Sequence, residues 1–176
     1  LTKTRQPPPV TDVEFLLAAS GDGVGALHFT AEIRDTPKPT PKRPFENLIH
    51  LQKIAEDIEA GREVDRSLEP FFFHGSGLGG ARPKTLIDHE GRGWIAKFNR
   101  ESDLVDMCKV EFATMQMARE AGIDVPDVLL TETARGPVVL VARFDQDEGG
   151  QHHLISVASL INKFDITQFD ESAMSY

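Results

Sequence analysis

A glycine-rich stretch near the middle of the chain constrains its fold and function more than any other feature. It runs from Gly75 to Phe98 and reads GSGLGGARPKTLIDHEGRGWIAKF, so that Gly75, Gly77 and Gly80 satisfy the pattern G-x-G-x-x-G. Two unrelated nucleotide-binding architectures share this pattern, which makes it weak evidence by itself. The residues that follow the glycines must therefore decide between the possible folds.

Two phosphate-binding loops that use such glycines fit the sequence poorly. A Walker-type loop needs Lys and then Ser or Thr directly after its last glycine, where this chain has Ala81 and Arg82. A dinucleotide-binding fold needs the loop to open a helix, whose N-terminal amides bind the pyrophosphate. Here the next residues, Lys84 to Asp88, read KTLID and are typical of a strand. Neither architecture is favoured.

Hydrophobic periodicity and turn residues predict the other elements. The predictions are a strand over Gly25–Phe29, a stiff proline-rich connector over Thr36–Pro44, a helix from Phe45 to a stop at Gly61, strands over Lys84–Asp88 and Gly93–Phe98, a helix from Ser102 or Asp103 to Ala121, and a hairpin of Val128–Thr133 with Pro137–Phe144. A strand, a glycine loop, two strands and then a helix follow one another in the N-lobe of a protein kinase.

Two charged residues give this order a chemical meaning. Glycines let backbone amides approach phosphates, a lysine on a following strand neutralises phosphate oxygens, and a helix carboxylate holds that lysine in place. Lys97 lies 17 positions after Gly80, and Glu111 lies 14 positions after Lys97. We expect Lys97 to bind phosphate and Glu111 to pair with it. The alternatives are an ordinary strand lysine at the surface and a solvated charge on the helix.

Five runs of sequence carry a resemblance to a known family. They read FLLAASGDGVGALHF, GGARPKTLI, GWIAKF, EFATMQMAREAGIDVP and VLVARFD, in that order from Phe15 onward. In these runs the chain resembles the HipA family of bacterial serine/threonine kinases. The resemblance implies an α+β fold, with a protein-kinase-like N-lobe of antiparallel sheet plus helices over 70–176 after a small HipA-type N-terminal subdomain over 1–69. The chain is then the N-terminal portion of a kinase, with only the start of the C-lobe.

The resemblance also assigns an ATP site. The residues it implies are Gly79, Gly80, Ala81 and Lys84 in the loop over the nucleotide, Lys97 at the phosphates, Glu111 facing that lysine, Ala142 and Phe144 in the hinge that meets adenine, and Asp145 on the ribose side. It implies ATP and Mg²⁺ as ligands of the full-length protein. Family loops often carry an autophosphorylated serine; that position is Gly77 here, and the nearest hydroxyl belongs to Ser76.

The residues that complete a kinase are not recognisable in the sequence. Phosphate transfer needs a catalytic Asp followed five positions later by Asn, and a second Asp for magnesium. Asn162 is the only asparagine after the start of the second predicted helix, and no Asp precedes it by five positions. We assign no catalytic residue, expect the catalytic Asp beyond Tyr176, and expect these residues alone to be inactive. His152-His153 lacks further ligands at metal-binding spacing, so no metal site is predicted.

The resemblance implies a toxin of a toxin–antitoxin pair. Its partners would be a helix-turn-helix antitoxin like HipB and a protein substrate, for which an aminoacyl-tRNA synthetase is one family precedent. The alternative is a non-catalytic module that binds a nucleotide or a partner and docks an antitoxin or a separate C-lobe. A third interpretation is a small-molecule enzyme built on the same N-lobe.

Charge and composition narrow these functions. The net charge of −9 and the lack of a basic stripe argue against direct nucleic-acid binding. One cysteine, Cys108, excludes an internal disulfide and suits a reducing compartment. No apolar run reaches the length of a membrane helix, so we expect no membrane contact and a cytoplasmic location.

Overall fold

The computed structural model describes residues 11, 13, 17, 25–35, 43–64, 82–147 and 150–155. Predictions for the glycine loop, for most of the proline-rich connector and for the stretch after residue 155 lie outside these residues. Within them the fold is α+β, as the sequence predicts. The elements are a 3₁₀ turn at Phe45–Asn47, α1 at Leu48–Glu59, β1 at Lys84–His89, β2 at Arg92–Phe98, α2 at Met107–Glu120, β3 at Val128–Thr133, β4 at Gly136–Ala142, β5 at Gln146–Asp147 and β6 at Gly150–Gln151.

The first four strands form one antiparallel sheet in the order β1-β2-β4-β3. A two-residue turn joins β1 to β2, and its residues Glu90 and Gly91 both have positive φ, at 55° and 77°. Positive φ at both central residues gives the twist that short hairpins prefer. A second two-residue turn joins β3 to β4 and ends at Gly136, whose φ is 106°. The predicted hairpins are therefore present, with shifted ends.

The hydrophobic core lies between α1 and one face of this sheet. Side chains alternate between the two faces of a strand, so every second residue of β2 and β4 points towards α1. The members of this core are Leu48, Leu51 and Ala55 from α1, Ile87 from β1, Trp94, Ala96 and Phe98 from β2, and Val138, Leu140 and Ala142 from β4. The opposite face of β2 therefore carries Ile95 and Lys97.

Helix α2 packs on that opposite face, mainly against β3 and β4. It begins at Met107 and not at the predicted Ser102 or Asp103. Asp106 is its N-cap, because its carboxylate accepts the backbone N–H of Lys109. The Asp103 side chain instead accepts two bonds from the Arg82 guanidinium and one from the Arg100 amide, and so fixes the loop before the helix.

On the N-terminal side the structure differs from the predictions for Gly25–Phe29 and for the end of the proline-rich connector. Gly25–Phe29 is not a strand, since Gly25 has a φ of 83° and the following residues form no ladder. The residues before α1 do reach the sheet: Asp88 donates its amide to the Arg43 carbonyl at 2.7 Å, and Pro44 forms a bridge with Asp88. The Arg43 guanidinium also donates to the Leu86 carbonyl at 3.1 Å. The end of the connector therefore pairs with the edge of β1.

Candidate functional site

Two lysines lie side by side on the sheet face away from α1. Lys84 and Lys97 are direct register partners on β1 and β2, so their side chains leave the same face as neighbours. The Lys97 ammonium pairs with the Glu111 carboxylate of α2, and the two side chains are only 27% and 29% exposed. The sequence places these residues far apart, and the fold brings all three together.

The start of α2 is tied to the strand that carries Lys97. The Cys108 thiol donates to the Lys97 carbonyl with a donor–acceptor distance of 3.4 Å, and the Cys108 amide donates to the Asn99 side chain at 2.9 Å. Burial raises the pKa of the Cys108 thiol, and nearby carboxylates act in the same direction. The sulfur therefore keeps its proton as a donor. These bonds hold Glu111, one turn further along α2, opposite the lysine.

Lys84 lies among other cations on this face. The pKa of Lys84 is lowered, first by partial burial and then by the neighbouring charges of Lys97 and Arg100. Like charges directly opposite one another destabilise a strand pair, and Lys84 and Lys97 are directly opposite on β1 and β2. An anion bound between Lys84 and Lys97 would relieve this repulsion.

An apolar pair lies beside the lysines on the same face. Leu86 and Ile95 are register partners one step along β1 and β2, and both are only partly buried. Helix α2 covers mainly β3 and β4, which leaves this part of the sheet less shielded. Partly buried apolar side chains next to cations suit a ligand that combines an aromatic ring with anionic groups.

The predicted hinge lies at the other end of β2. Arg143 donates its amide to the Gly93 carbonyl at 3.0 Å, so the chain leaves β4 beside the first residues of β2. Gly93 and Lys97 are four residues apart, which is about 13 Å along a strand. Ala142 is fully buried, whereas Phe144 is 66% exposed. In the part of the chain that the structure describes, the backbone of Phe144 makes no hydrogen bond.

Asp145 is buried in an ion pair. Its side chain and that of Arg143 are each 4% exposed, with 2.9 Å between Arg143 Nε and Asp145 Oδ1 and 2.5 Å between Arg143 Nη2 and Oδ2. The backbone amide of Gly25 also donates to Oδ2, at 2.8 Å. Burial alone would raise the pKa of Asp145, but the guanidinium and the Gly25 amide outweigh it and lower that pKa.

The structure thus divides the predicted site into two groups. Lys84, Lys97 and Glu111 meet on the face of β1 and β2, and the hinge residues gather at the opposite end of β2. Gly79, Gly80, Ala81 and Ser76 lie outside the described residues. Sequence reasoning gave no role to Leu86, Ile95 or Arg143. For Leu86 and Ile95 the available signal was their spacing, since Leu86 lies two positions after Lys84 and Ile95 two positions before Lys97.

A cleft among the described residues lies elsewhere. Its volume is about 720 Å³, and it lies between the end of α1, the loop after β2 and the turn before β4. The arginines that line it already have carboxylate partners: Arg62 pairs with Asp57, Arg100 with Glu59 and Arg135 with Glu56. None of the predicted site residues lines this cleft. We therefore place the candidate site on the lysine face.

The described ranges contain neither a metal-binding cluster nor a membrane-spanning helix. No group of three or more His, Cys, Asp and Glu side chains there could hold a metal ion. In the same residues, no helix is both long and apolar enough to cross a membrane.

Comparison with known families places the chain. The family model described as the HipA-like C-terminal domain matches residues 76–176, more than half of the sequence. The chain therefore belongs to this family. The match also corrects one expectation, because residues 76–176 correspond to the C-terminal domain of HipA-like proteins and not to an N-terminal portion. No curated protein and no solved structure matched the chain.

Proposed function

We propose that the described sheet and α2 form the nucleotide-binding lobe of a HipA-like, ATP-dependent serine/threonine protein kinase. The observation that carries this proposal is the lysine pair, Lys84 with Lys97, held beside Glu111 and next to the apolar pair of Leu86 and Ile95. The family match supports a member of a toxin–antitoxin system. The strand order and the packing of α2 on the face that carries the lysines support a kinase-like N-lobe.

The proposed roles follow from charge and position. Lys97 neutralises phosphate oxygens of ATP, and Glu111 fixes the direction of the lysine side chain by the ion pair. Lys84 supplies a second cation, and the loop residues Gly79, Gly80 and Ala81 bind the phosphates. The adenine ring lies on Leu86 and Ile95, with its edge towards the free backbone of Phe144. Mg²⁺ would enter the site bound to the phosphates of ATP.

Phosphate transfer also needs residues that this sequence does not contain in recognisable form. None of its asparagines follows an Asp by five positions, so the Asp-x-x-x-x-Asn loop of a kinase is not among these 176 residues. We therefore propose that these residues bind nucleotide weakly and are inactive by themselves. The helix-turn-helix antitoxin and the protein substrate, including the aminoacyl-tRNA synthetase precedent, are proposed on family membership alone.

The test compares two lysine variants of the complete gene product that contains these residues. Lys97→Ala should lower transfer of phosphate from Mg-ATP by about a hundredfold or more, because it removes a charge that the transition state needs. Lys53→Ala, at an exposed lysine of α1 that pairs with Asp57, should leave transfer unchanged. Transfer that survives in Lys97→Ala at the wild-type rate would remove Lys97 from the site.

A non-catalytic module is the second candidate, and the missing Asp-x-x-x-x-Asn spacing favours it. Such a module would bind a nucleotide, an antitoxin or a separate C-lobe without chemistry. Calorimetry and phosphate transfer separate the two proposals when they are measured on the same preparation. Nucleotide binding would support the module if no phosphate is transferred, either to a substrate or to Ser76 by autophosphorylation.

A further inference from the structure

The hinge is fastened to an N-terminal segment that is remote in sequence. Gly25 and Asp145 are 120 positions apart, yet the Gly25 amide donates to the Asp145 carboxylate in a buried hydrogen bond. Gly25 has a φ of 83°, and a Cβ atom added there would lie 3.1 Å from the Leu154 backbone nitrogen. Close by, the His28 ring nitrogen and the Gln151 side chain form a hydrogen bond of 2.8 Å. The segment after Gly25 therefore packs against the residues that follow the hinge.

Asp145 has little capacity left for a ligand. Both carboxylate oxygens are engaged by Arg143, and one of them also accepts the Gly25 amide. The residue is 3% exposed. A carboxylate that turned towards ribose hydroxyls would break both buried contacts with Arg143 and leave the Gly25 N–H without its acceptor, which is unfavourable.

The same residues fix the hinge backbone in two more places. The Arg143 amide donates to the Gly93 carbonyl at 3.0 Å, and the His152 amide donates to the Asp145 carbonyl at 2.8 Å. A Cβ on Gly93 would lie 2.8 Å from the Gln146 side-chain oxygen and 3.4 Å from Arg143 Cδ, so the hinge side chains lie directly over β2. Movement at Asp145 would therefore move the backbone on both sides of Phe144.

We infer that Gly25, Arg143 and Asp145 form a hinge clamp in which Asp145 is a positioning residue and not a ribose ligand. The clamp sets the position of the Phe144 backbone and couples the N-terminal segment to nucleotide affinity. This inference rests on the proposed nucleotide site. It assigns Asp145 a role that differs from the ribose contact implied by the family resemblance.

The first test separates positioning from ribose contact. The complete gene product and its Asp145→Asn variant are titrated with Mg-ATP and with Mg-2′,3′-dideoxy-ATP, which lacks the ribose hydroxyls. A positioning role predicts that both affinities fall by the same factor, about tenfold. A ribose ligand would lose affinity for ATP alone, and that result would overturn the inference. Asp124→Asn, at an exposed carboxylate in the loop after α2, should change both affinities by no more than about twofold.

The second test approaches the clamp from its other end. Gly25→Ala keeps the ion pair but forces a Cβ against Leu154 at positive φ, so it should weaken both nucleotides together. Gly61→Ala is the matched control, because Gly61 has a φ of 65° and nothing within 4 Å of the added carbon. The combined Gly25→Ala and Asp145→Asn variant should lose less affinity than the two separate losses predict. Unchanged affinity in Gly25→Ala would overturn the coupling.

Amide hydrogen exchange keeps the clamp testable apart from nucleotide binding. Exchange at residues 143–146 should accelerate in Gly25→Ala and stay unchanged in Gly61→Ala. If the wild-type protein binds no nucleotide, the proposed function fails, while this exchange result still decides whether the clamp exists. If Asp145→Asn does not fold, Gly25→Ala decides both questions, because it leaves the charges in place. Equal exchange in the two glycine variants would overturn the clamp.

Discussion

The charge of Lys84 has opposite effects on the stability of the fold and on phosphate binding. It lies directly opposite Lys97, and its pKa is lowered by burial and by neighbouring cations. Replacing its charge should therefore stabilise the protein in the absence of nucleotide while it weakens phosphate binding. The Lys97 ion pair with Glu111 is retained in that substitution, so the two lysines can be tested independently.

Lys84→Met should raise the free energy of unfolding by roughly 0.5 kcal/mol at pH 7, because it removes the like-charge pair. Between the lowered native pKa and the unfolded value the unfolded chain binds more protons, so the contribution of Lys84 to stability rises with pH in the wild type. The gain from the substitution should accordingly shrink at pH 10. Urea unfolding at both pH values measures this, with Lys53→Met as the control. A loss of stability would show that Lys84 is needed by the fold.

Helix α2 is stabilised at its N-terminus by the Asp106 side chain. The Asp106 carboxylate accepts the Lys109 amide and a bond from the Asn99 side chain at 2.9 Å, so it joins the helix to the end of β2. Burial opposes ionisation of Asp106, but these donors outweigh it and lower its pKa. The cap therefore contributes at neutral pH and is lost as the pH falls through the lowered native value.

Asp106→Ala should reduce the free energy of unfolding by about 1 kcal/mol, the usual loss for an N-cap, and more if Asn99 is left unpaired. Chemical denaturation followed by circular dichroism measures it. Asp124→Ala is the control, since Asp124 is exposed in the loop after α2. Equal stability of the two variants would mean that the cap contributes nothing to the free energy of unfolding.

The turn between β1 and β2 holds a strained residue. Glu90 is the only non-glycine among the described residues with positive φ, at 55°. Left-handed backbone costs such a residue about 1 kcal/mol, and asparagine tolerates it better. Glu90→Asn should therefore raise the free energy of unfolding by roughly 0.5 kcal/mol. The melting temperature measures this gain against Glu101→Asn, an exposed acid with ordinary φ; no gain at Glu90 would contradict a strained turn.

Over the whole molecule, local order and the contact of Lys97 with Glu111 were predictable, whereas the contacts at the hinge were not. The strands around Lys97 and the helix with Glu111 could be predicted because each depends on a local period and on spacing that one motif fixes. The start of α2 was wrong because three residues, Ser102, Asp103 and Asp106, are all good caps, and Asp103 is taken by Arg82. The Arg143–Asp145–Gly25 contact had no local signal, because its partners meet only after tertiary packing.

Among the described residues, four aspartates in three regions make the stability of the fold sensitive to acid. Asp57 at the end of α1, Asp103 and Asp106 before α2, and Asp145 at the hinge all have lowered pKa values. For Asp57 and Asp103 the first cause is a lysine or arginine partner. For Asp106 and Asp145 burial acts first and would raise the pKa, but hydrogen-bond donors outweigh it. A carboxyl with a lowered native pKa stabilises the fold above its unfolded value of 3.8 and loses this as the pH falls through the native value.

The melting temperature should therefore stay level or rise slightly from pH 7 to 5, as the net charge of −9 shrinks, and then fall steeply below about pH 4. Added salt distinguishes the contributions of exposed and buried ion pairs to this acid-dependent loss of stability. Added salt should weaken the pair of Asp57 with the exposed Lys53 and Arg62, but it should leave the 4% exposed pair of Asp145 with Arg143 almost unchanged. Asp145→Asn should then reduce the acid-dependent loss that persists at high salt. A melting temperature that is level down to pH 2.5 would contradict these ion pairs, because protonation would then remove nothing from the folded state.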